Sequence, residues 1–135
     1  MTLVVDASVA AKWVLPEPDS EQAERLKETG EALIAPTLVL AEIGNAVWKR
    51  AIKRELTPDD ASNAVRLAAS LFTDLYPMEQ LAVRATELAI SLRHPIYDCF
   101  YLALAERESV SLVTADARLL TLAKRSKLGI KVQEL

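Results

Sequence analysis

Leu3-Val4-Val5-Asp6-Ala7-Ser8 decides how this chain is read. Three aliphatic residues, short enough for a buried strand, stop at a carboxylate. Ala7 to Val14 then reads as a short helix closed off by Pro16. A strand that ends in Asp and turns straight into a helix is the entry to an α/β unit. In doubly wound sheets the chain often starts near the middle, and ligands sit at the carboxyl ends of the strands beside the topological switch point. Asp6 is expected there.

Further along the chain, Asp19 to Thr29 reads as a polar helix with Asp19 or Ser20 as its cap and Gly30 as its stop. Ala32 to Ala35 is a second strand, ended by Pro36, after which Thr37 caps a long helix from about Leu38 to Arg54. Thr57-Pro58-Asp59-Asp60 is a strong helix start, and that helix runs to about Phe72. Asp74 to Met78 reads as a weak third strand. Glu79 to Arg93 repeats Leu81, Ala82, Ala85, Leu88, Ala89 and Leu92 at a helical period, and His94-Pro95 breaks it. Tyr97 to Glu108 is a helix, Ser111 to Thr114 a strand, Asp116 to Lys127 a helix, and Ile130 to Val132 a last strand. Strands alternating with helices favour a parallel sheet covered on both faces. Residues 1–135 read as one domain, without repeat or linker.

The composition excludes several classes. A hydrophobic content of 51% is that of a packed core. The single cysteine, Cys99, leaves no disulfide framework or cysteine-rich zinc site and suits a reducing, cytoplasmic setting. No apolar run approaches the ~18 residues of a membrane span, and the N-terminus lacks the pattern of a signal peptide. There is no Walker-type loop and no GxGxxG fingerprint. A net charge of −3 argues mildly against a nucleic-acid partner.

Most of the 19 acids lie on polar helices or in first turns, but four have apolar or small neighbours. Asp6 ends Leu3-Val4-Val5. Glu42 interrupts Leu38 to Ile43. Asp98 sits between Ile96-Tyr97 and Cys99-Phe100-Tyr101. Asp116 follows Leu112-Val113-Thr114-Ala115. Each has a plain explanation: Asp6 and Asp116 as helix caps, Asp98 as an acid favoured in a first turn, Glu42 as a snorkelling glutamate. Together they are harder to dismiss. Grouped carboxylates repel one another and are costly to bury unless something pairs them. A divalent cation resolves both problems, and hard cations such as Mg²⁺ prefer oxygen ligands.

Ser8 and Thr114 lie two residues from Asp6 and Asp116, and Asn45 lies one helical turn after Glu42. They are candidates for positioning a water or a carboxylate, against ordinary capping, which is favoured slightly for Ser8. His94 reads as a helix-end residue rather than a base, and Cys99 as packed rather than reactive. With the four acids set aside, 15 remain against 16 bases, so the rest of the chain is slightly basic. At ~100° per residue, Lys49 and Lys53 fall about 20° to either side of Glu42, flanked by Arg50 and Arg54. This track is a candidate for holding phosphates, against the commoner role of a solvated face.

These residues resemble the PIN domain family and, within it, the VapC-like toxins of type II toxin–antitoxin pairs. The resemblance is carried by Val4-Val5-Asp6-Ala7-Ser8, by Pro36 through Glu42 to Asn45, by Tyr97-Asp98 with Tyr101, Ala103 and Ala105, and by Thr114-Ala115-Asp116. It implies a three-layer α/β/α fold with a mostly parallel sheet of about five strands. It also implies a Mg²⁺- or Mn²⁺-dependent endoribonuclease, a homodimer and a cognate VapB-like antitoxin. By matching position, Asp6, Glu42, Asp98 and Asp116 become the metal-binding acids, with Thr114, Asn45 and Ser8 accessory.

The chemistry expected of such a site is hydrolysis of an RNA phosphodiester by metal-activated water, leaving a 5′-phosphate and a 3′-hydroxyl. The antitoxin is expected to lay a tail along the helix that carries Glu42 and Trp48, an arginine or lysine reaching the acids. The rival reading is a catalytically silent PIN-like domain that binds RNA or protein, against which the retention of all four acids argues. A phosphoacceptor receiver or a haloacid-type phosphatase fits poorly, since Ser8 stands where the latter has its second aspartate.

Overall fold

The computed structural model describes residues 1–135. Five strands form one sheet: β1 (Thr2–Val5), β2 (Ala32–Pro36), β3 (Asp74–Tyr76), β4 (Ser111–Thr114) and β5 (Val132–Glu134). All are parallel, in the order β3-β2-β1-β4-β5. The first strand is therefore central, and the chain leaves it towards β2 on one side and returns to β4 on the other. That reversal is the switch point, and it lies beside Asp6.

Seven helices connect the strands: α1 (Ala7–Ala10), α2 (Ser20–Lys27), α3 (Leu38–Ile52), α4 (Pro58–Leu71), α5 (Ala82–Leu92), α6 (Ile96–Glu108) and α7 (Ala117–Ser126). Right-handed crossovers put α1 to α4 on one face of the sheet and α5 to α7 on the other, giving the three-layer α/β/α arrangement. Single 3₁₀ turns continue α1 over Ala11–Trp13 and precede α5 at Met78–Gln80.

Local chemistry explains most boundaries. Thr57 accepts from the Asp60 N–H, the Asp60 carboxylate accepts from the Thr57 N–H, and Pro58 sits where a missing N–H costs nothing. Gly30 follows α2 at φ +76°, a conformation costly for a residue with Cβ. Thr37 is not a side-chain cap, contrary to expectation. Its backbone N–H instead donates to the Tyr76 carbonyl, so the end of β3 positions the start of α3. Helix α3 stops at Ile52 rather than Arg54, because Arg54 is in the left-handed region at φ +60°. The last strand is shifted two residues towards the C-terminus. Its register with β4, Leu112 against Val132, makes Val132 the first paired residue.

The core is one cluster of 33 buried residues. Val4 and Val5 of β1, Ile43 of α3, Leu102 and Leu104 of α6 and Leu112 of β4 are almost wholly removed from solvent. At about 25 cal/mol per Å² of apolar surface, each such side chain contributes about 1.5–3 kcal/mol. Trp13 closes one corner, donating its indole N–H to the Ala23 carbonyl at 2.8 Å and meeting Phe72 edge to face. Cys99 is buried as expected, and burial pushes its thiol up to about 11. No helix is long and apolar enough to cross a membrane.

Candidate active site

Asp6 and Asp116 end the neighbouring central strands β1 and β4 and cap the helices that follow. Asp6 accepts from the Val9 N–H and Asp116 from the Arg118 N–H. Capping and site geometry are thus one arrangement, since a side chain that caps a helix at a strand's carboxyl end points into the switch-point crevice.

Apart from the amphipathic Trp13 and Tyr101, Asp6 and Thr114 are the only polar side chains among the buried residues. Ser8 donates to Asp6 Oδ1 at 2.7 Å and Thr114 donates to Oδ2 at 2.6 Å. Each hydroxyl accepts in turn from the turn between β4 and α7: Ser8 from the Ala115 N–H and Thr114 from the Asp116 N–H. Two backbone amides are thereby relayed through two hydroxyls onto the two oxygens of one carboxylate. Burial nevertheless dominates. Desolvation pushes Asp6 up to about 6, the three hydrogen bonds oppose it, and the nearby Asp116 charge adds to the rise. Ser8, for which capping is slightly favoured on sequence grounds, belongs to this network.

Glu42 comes from the other side, on α3. Its Oε1 accepts from the Tyr101 hydroxyl at 2.6 Å. Desolvation raises its pKa, Tyr101 lowers it, and Asp98 and Asp116 raise it further. Tyr101 is itself driven up by burial and by the Glu42 charge, so it remains a neutral donor. Asp98, in the first turn of α6, lies 2.8 Å from His94 Nε2, one turn earlier. The four acids thus feel one another: Asp116 acts on both Asp6 and Glu42, and Asp98 acts on Glu42.

Their donor chemistry, carboxylate oxygens in a partly desolvated crevice, suits a hard divalent cation. As the side chains stand, no three of them converge to enclose an ion, with Glu42 turned to Tyr101 and Asp98 to His94.

Asn45 lines the same cleft as Glu42 but makes no side-chain hydrogen bond. The cleft opens into a trough of ≈ 710 Å³ along α3, where Lys49 and Lys53 stand with Lys12 and Arg50. The latter two both pair with Glu17, at 3.4 and 3.6 Å, and Arg50 also reaches Glu55. Lys49 and Lys53 make no ion pair and are the free cations of the trough. Arg54, expected to flank them, does not line it.

Sequence reasoning misses four contributors. Tyr101 enters the sequence reading only as a neighbour of Asp98 and through the family resemblance, and its hydroxyl's target, Glu42, lies 59 residues away. His94 does terminate α5, its N–H bonding the Ala89 carbonyl, but its ring also holds Asp98. The i,i+4 spacing of His94 and Asp98 is the available signal. Lys12 and Glu17 carry none, because Pro16 ends the helical pattern between them and no periodicity then relates the two.

The likeness to known proteins follows the same lines. The profile of the PIN domain family matches residues 3–125. Ribonuclease VapC3 of Pyrobaculum aerophilum is 37% identical over 121 residues, covering 88% of this chain and 92% of that protein. Ribonuclease VapC9 of Mycobacterium tuberculosis is 36% identical over 117 residues, 87% of each. Among solved structures, VapBC2 from Rickettsia felis bound to a DNA fragment from its promoter superposes with a TM-score of 0.73 at 13% identity. The match covers 100% of this chain and 99% of that one, a likeness of fold. The chain belongs to the PIN domain family, in its VapC-like branch.

Proposed function

We propose that this protein is the toxin of a toxin–antitoxin pair, an endoribonuclease that cleaves RNA with a divalent ion, Mg²⁺ or Mn²⁺, at Asp6, Glu42, Asp98 and Asp116. The observation that carries this reading is the electrostatic coupling of these four acids at the switch point, with Asp6 buried and its pKa raised to about 6. A protein gains nothing in stability by gathering carboxylates in a desolvated crevice, so the arrangement points to a ligand of opposite charge. The ribonuclease relatives supply the substrate class.

In this reading the four acids hold the ion, which when bound supplies the Lewis acidity and the activated water that the side chains lack. Ser8 and Thr114 fix both oxygens of Asp6, so the carboxylate is presented in one orientation. Tyr101 holds one oxygen of Glu42, Oε1, and His94 one oxygen of Asp98, Oδ2, so each carboxylate keeps its other oxygen for the ion. Asn45 stands at the cleft wall as a donor for a substrate oxygen. Lys49 and Lys53 hold the backbone of the RNA along α3.

A VapB-like antitoxin fits the same surface. Trp48 and Ile52 are exposed one turn apart on α3, giving apolar anchorage beside the trough. A basic antitoxin residue reaching the acids would exclude ion and substrate together. The reading includes a homodimer.

The test is cleavage of RNA by the purified protein with Mg²⁺ or Mn²⁺, wild type beside Asp6→Asn, with end-group analysis of products. Metal-dependent cleavage that the variant lacks, leaving 5′-phosphates, is expected. RNA binding without cleavage under any divalent ion would make this a silent binding domain.

A further inference from the structure

Helix α7 carries a second cationic pocket that the reading above does not use. Arg118, Thr121 and Arg125 lie on one face of α7 at helical spacing and line a depression whose wall is completed by His94. Arg125 makes no ion pair, and Thr121 makes no side-chain hydrogen bond. Arg118, its side chain 87% exposed, has one acidic neighbour, Asp116 at 3.8 Å. Two guanidiniums and a hydroxyl are thus left with donors to spare beside an acidic centre.

The position of this pocket gives it meaning. Three of the acids, Glu42, Asp98 and Asp116, line one crevice together with His94, Tyr97 and Arg118, and Asp6 lies buried behind it. The crevice shares Glu42 and Tyr97 with the lysine trough on α3, and His94 and Arg118 with the α7 pocket. Three depressions therefore run into one another, basic, acidic, basic. At the first junction stands Tyr97, an aromatic ring 59% exposed. A ring held in solvent beside a basic groove is a platform on which an unpaired base stacks.

We propose that Arg118, Thr121 and Arg125 form a phosphate subsite for the same RNA strand, on the opposite side of the scissile bond from Lys49 and Lys53, with a base stacked on Tyr97. The proposal rests on the ribonuclease reading and deepens it: the substrate is a single strand gripped on both flanks. The physical reason is repulsion at the centre. The four acids oppose the approach of a phosphodiester, and cations on one side alone would let the strand pivot away. Anchors on both sides hold the scissile phosphate over the acids. Arginine suits that role, since its planar fork takes two phosphate oxygens at once. A strand that must reach both pockets is cut internally rather than from an end.

The test compares Arg125→Ala with Arg66→Ala, which removes the same charge from α4, outside all three depressions. Binding of a fluorescent single-stranded RNA is measured in EDTA over a range of salt, and cleavage kinetics with Mg²⁺. Arg125→Ala is expected to raise Kd and KM by about tenfold, the worth of one charge-assisted contact, with kcat within about twofold. It should also flatten the salt dependence by about 0.7 in slope, as for one phosphate on a single strand. Arg66→Ala should change neither. RNA cut back to the scissile position from each end in turn adds a second criterion. Only the RNA lacking the α7 flank should become indifferent to Arg125→Ala. Equal behaviour of the two variants, or an equal response from both shortened RNAs, would overturn the subsite. Cleavage that still depends on Asp6 would then leave the ribonuclease reading standing. No cleavage with either ion would remove both.

Discussion

Asp6 and Asp116 are a matched pair with different fates. Each ends one of two adjacent parallel strands, and each caps the helix that follows. Yet Asp6 is 4% exposed and held by three donors, whereas the Asp116 side chain is 31% exposed and takes the Arg118 N–H. Burial acts on Asp6 more strongly than anything else, and it outweighs the hydrogen bonds that the carboxylate accepts. The same local motif thus yields a desolvated acid at the sheet centre and a wetter one beside it.

The largest effect expected from probing this pair is on activity. Asp6→Asn and Asp116→Asn should each reduce RNA cleavage by roughly two to three orders of magnitude, the scale of losing one preorganised electrostatic group. Initial rates under Mg²⁺ measure it. A variant at either position that keeps wild-type rates would remove that acid from the site.

Stability against pH separates the pair further. Because the folded-state pKa of Asp6 is raised to about 6, its contribution is fully present below its unfolded pKa and is lost as pH rises through 6. Relative to Asp6→Asn, the metal-free wild type should therefore lose about 2 kcal/mol of unfolding free energy between pH 4 and pH 7. Urea titrations of both proteins in EDTA across that range give the difference. A constant gap would mean that Asp6 is not desolvated in solution.

Metal should reverse that penalty. Mg²⁺ or Mn²⁺ at ~100 times its Kd should stabilise the wild type by about 2.7 kcal/mol. Asp6→Asn combined with Asp98→Asn should abolish the response, as read by Tm at increasing ion concentration. An undiminished response in the double variant would place the ion elsewhere.

The smallest effect belongs to capping. Asp116→Ala removes the acceptor for the Arg118 N–H and should destabilise the metal-free protein by about 1 kcal/mol. At pH 8 this is opposite in sign to Asp6→Asn, where relief of the buried charge exceeds the loss of one hydrogen bond. Two variants shifting in the same direction would erase the distinction between the two caps.

Much of this arrangement is legible in the residues. The run Leu3 to Ser8 predicts a central strand turning into a helix, and the parallel order around β1 agrees with it. Asp6, Glu42, Asp98 and Asp116 stand out because acids among aliphatic neighbours are expensive, which needs no coordinates to see. Lys49 and Lys53 follow Glu42 by helical period alone, and the trough along α3 contains all three. Local sequence fails where a contact spans the fold. Thr37 looks like a cap, but the Tyr76 carbonyl takes over the positioning of α3.

Whatever is periodic or local in this protein is therefore written in the chain itself: the alternation of strands and helices, the capping box at Thr57, and the identity of the acids set among apolar residues. Each follows from chemistry within a few residues. Folding in three dimensions settles the rest. It selects which acid is buried, brings Ser8 and Thr114 onto Asp6 and Tyr101 onto Glu42, and joins basic pockets on α3 and α7 to the crevice of the acids through shared lining residues. Those facts depend on desolvation and on pairing between elements separated by tens of residues. A carboxylate's solvent exposure is a property of everything packed around it, and no short stretch of sequence contains that.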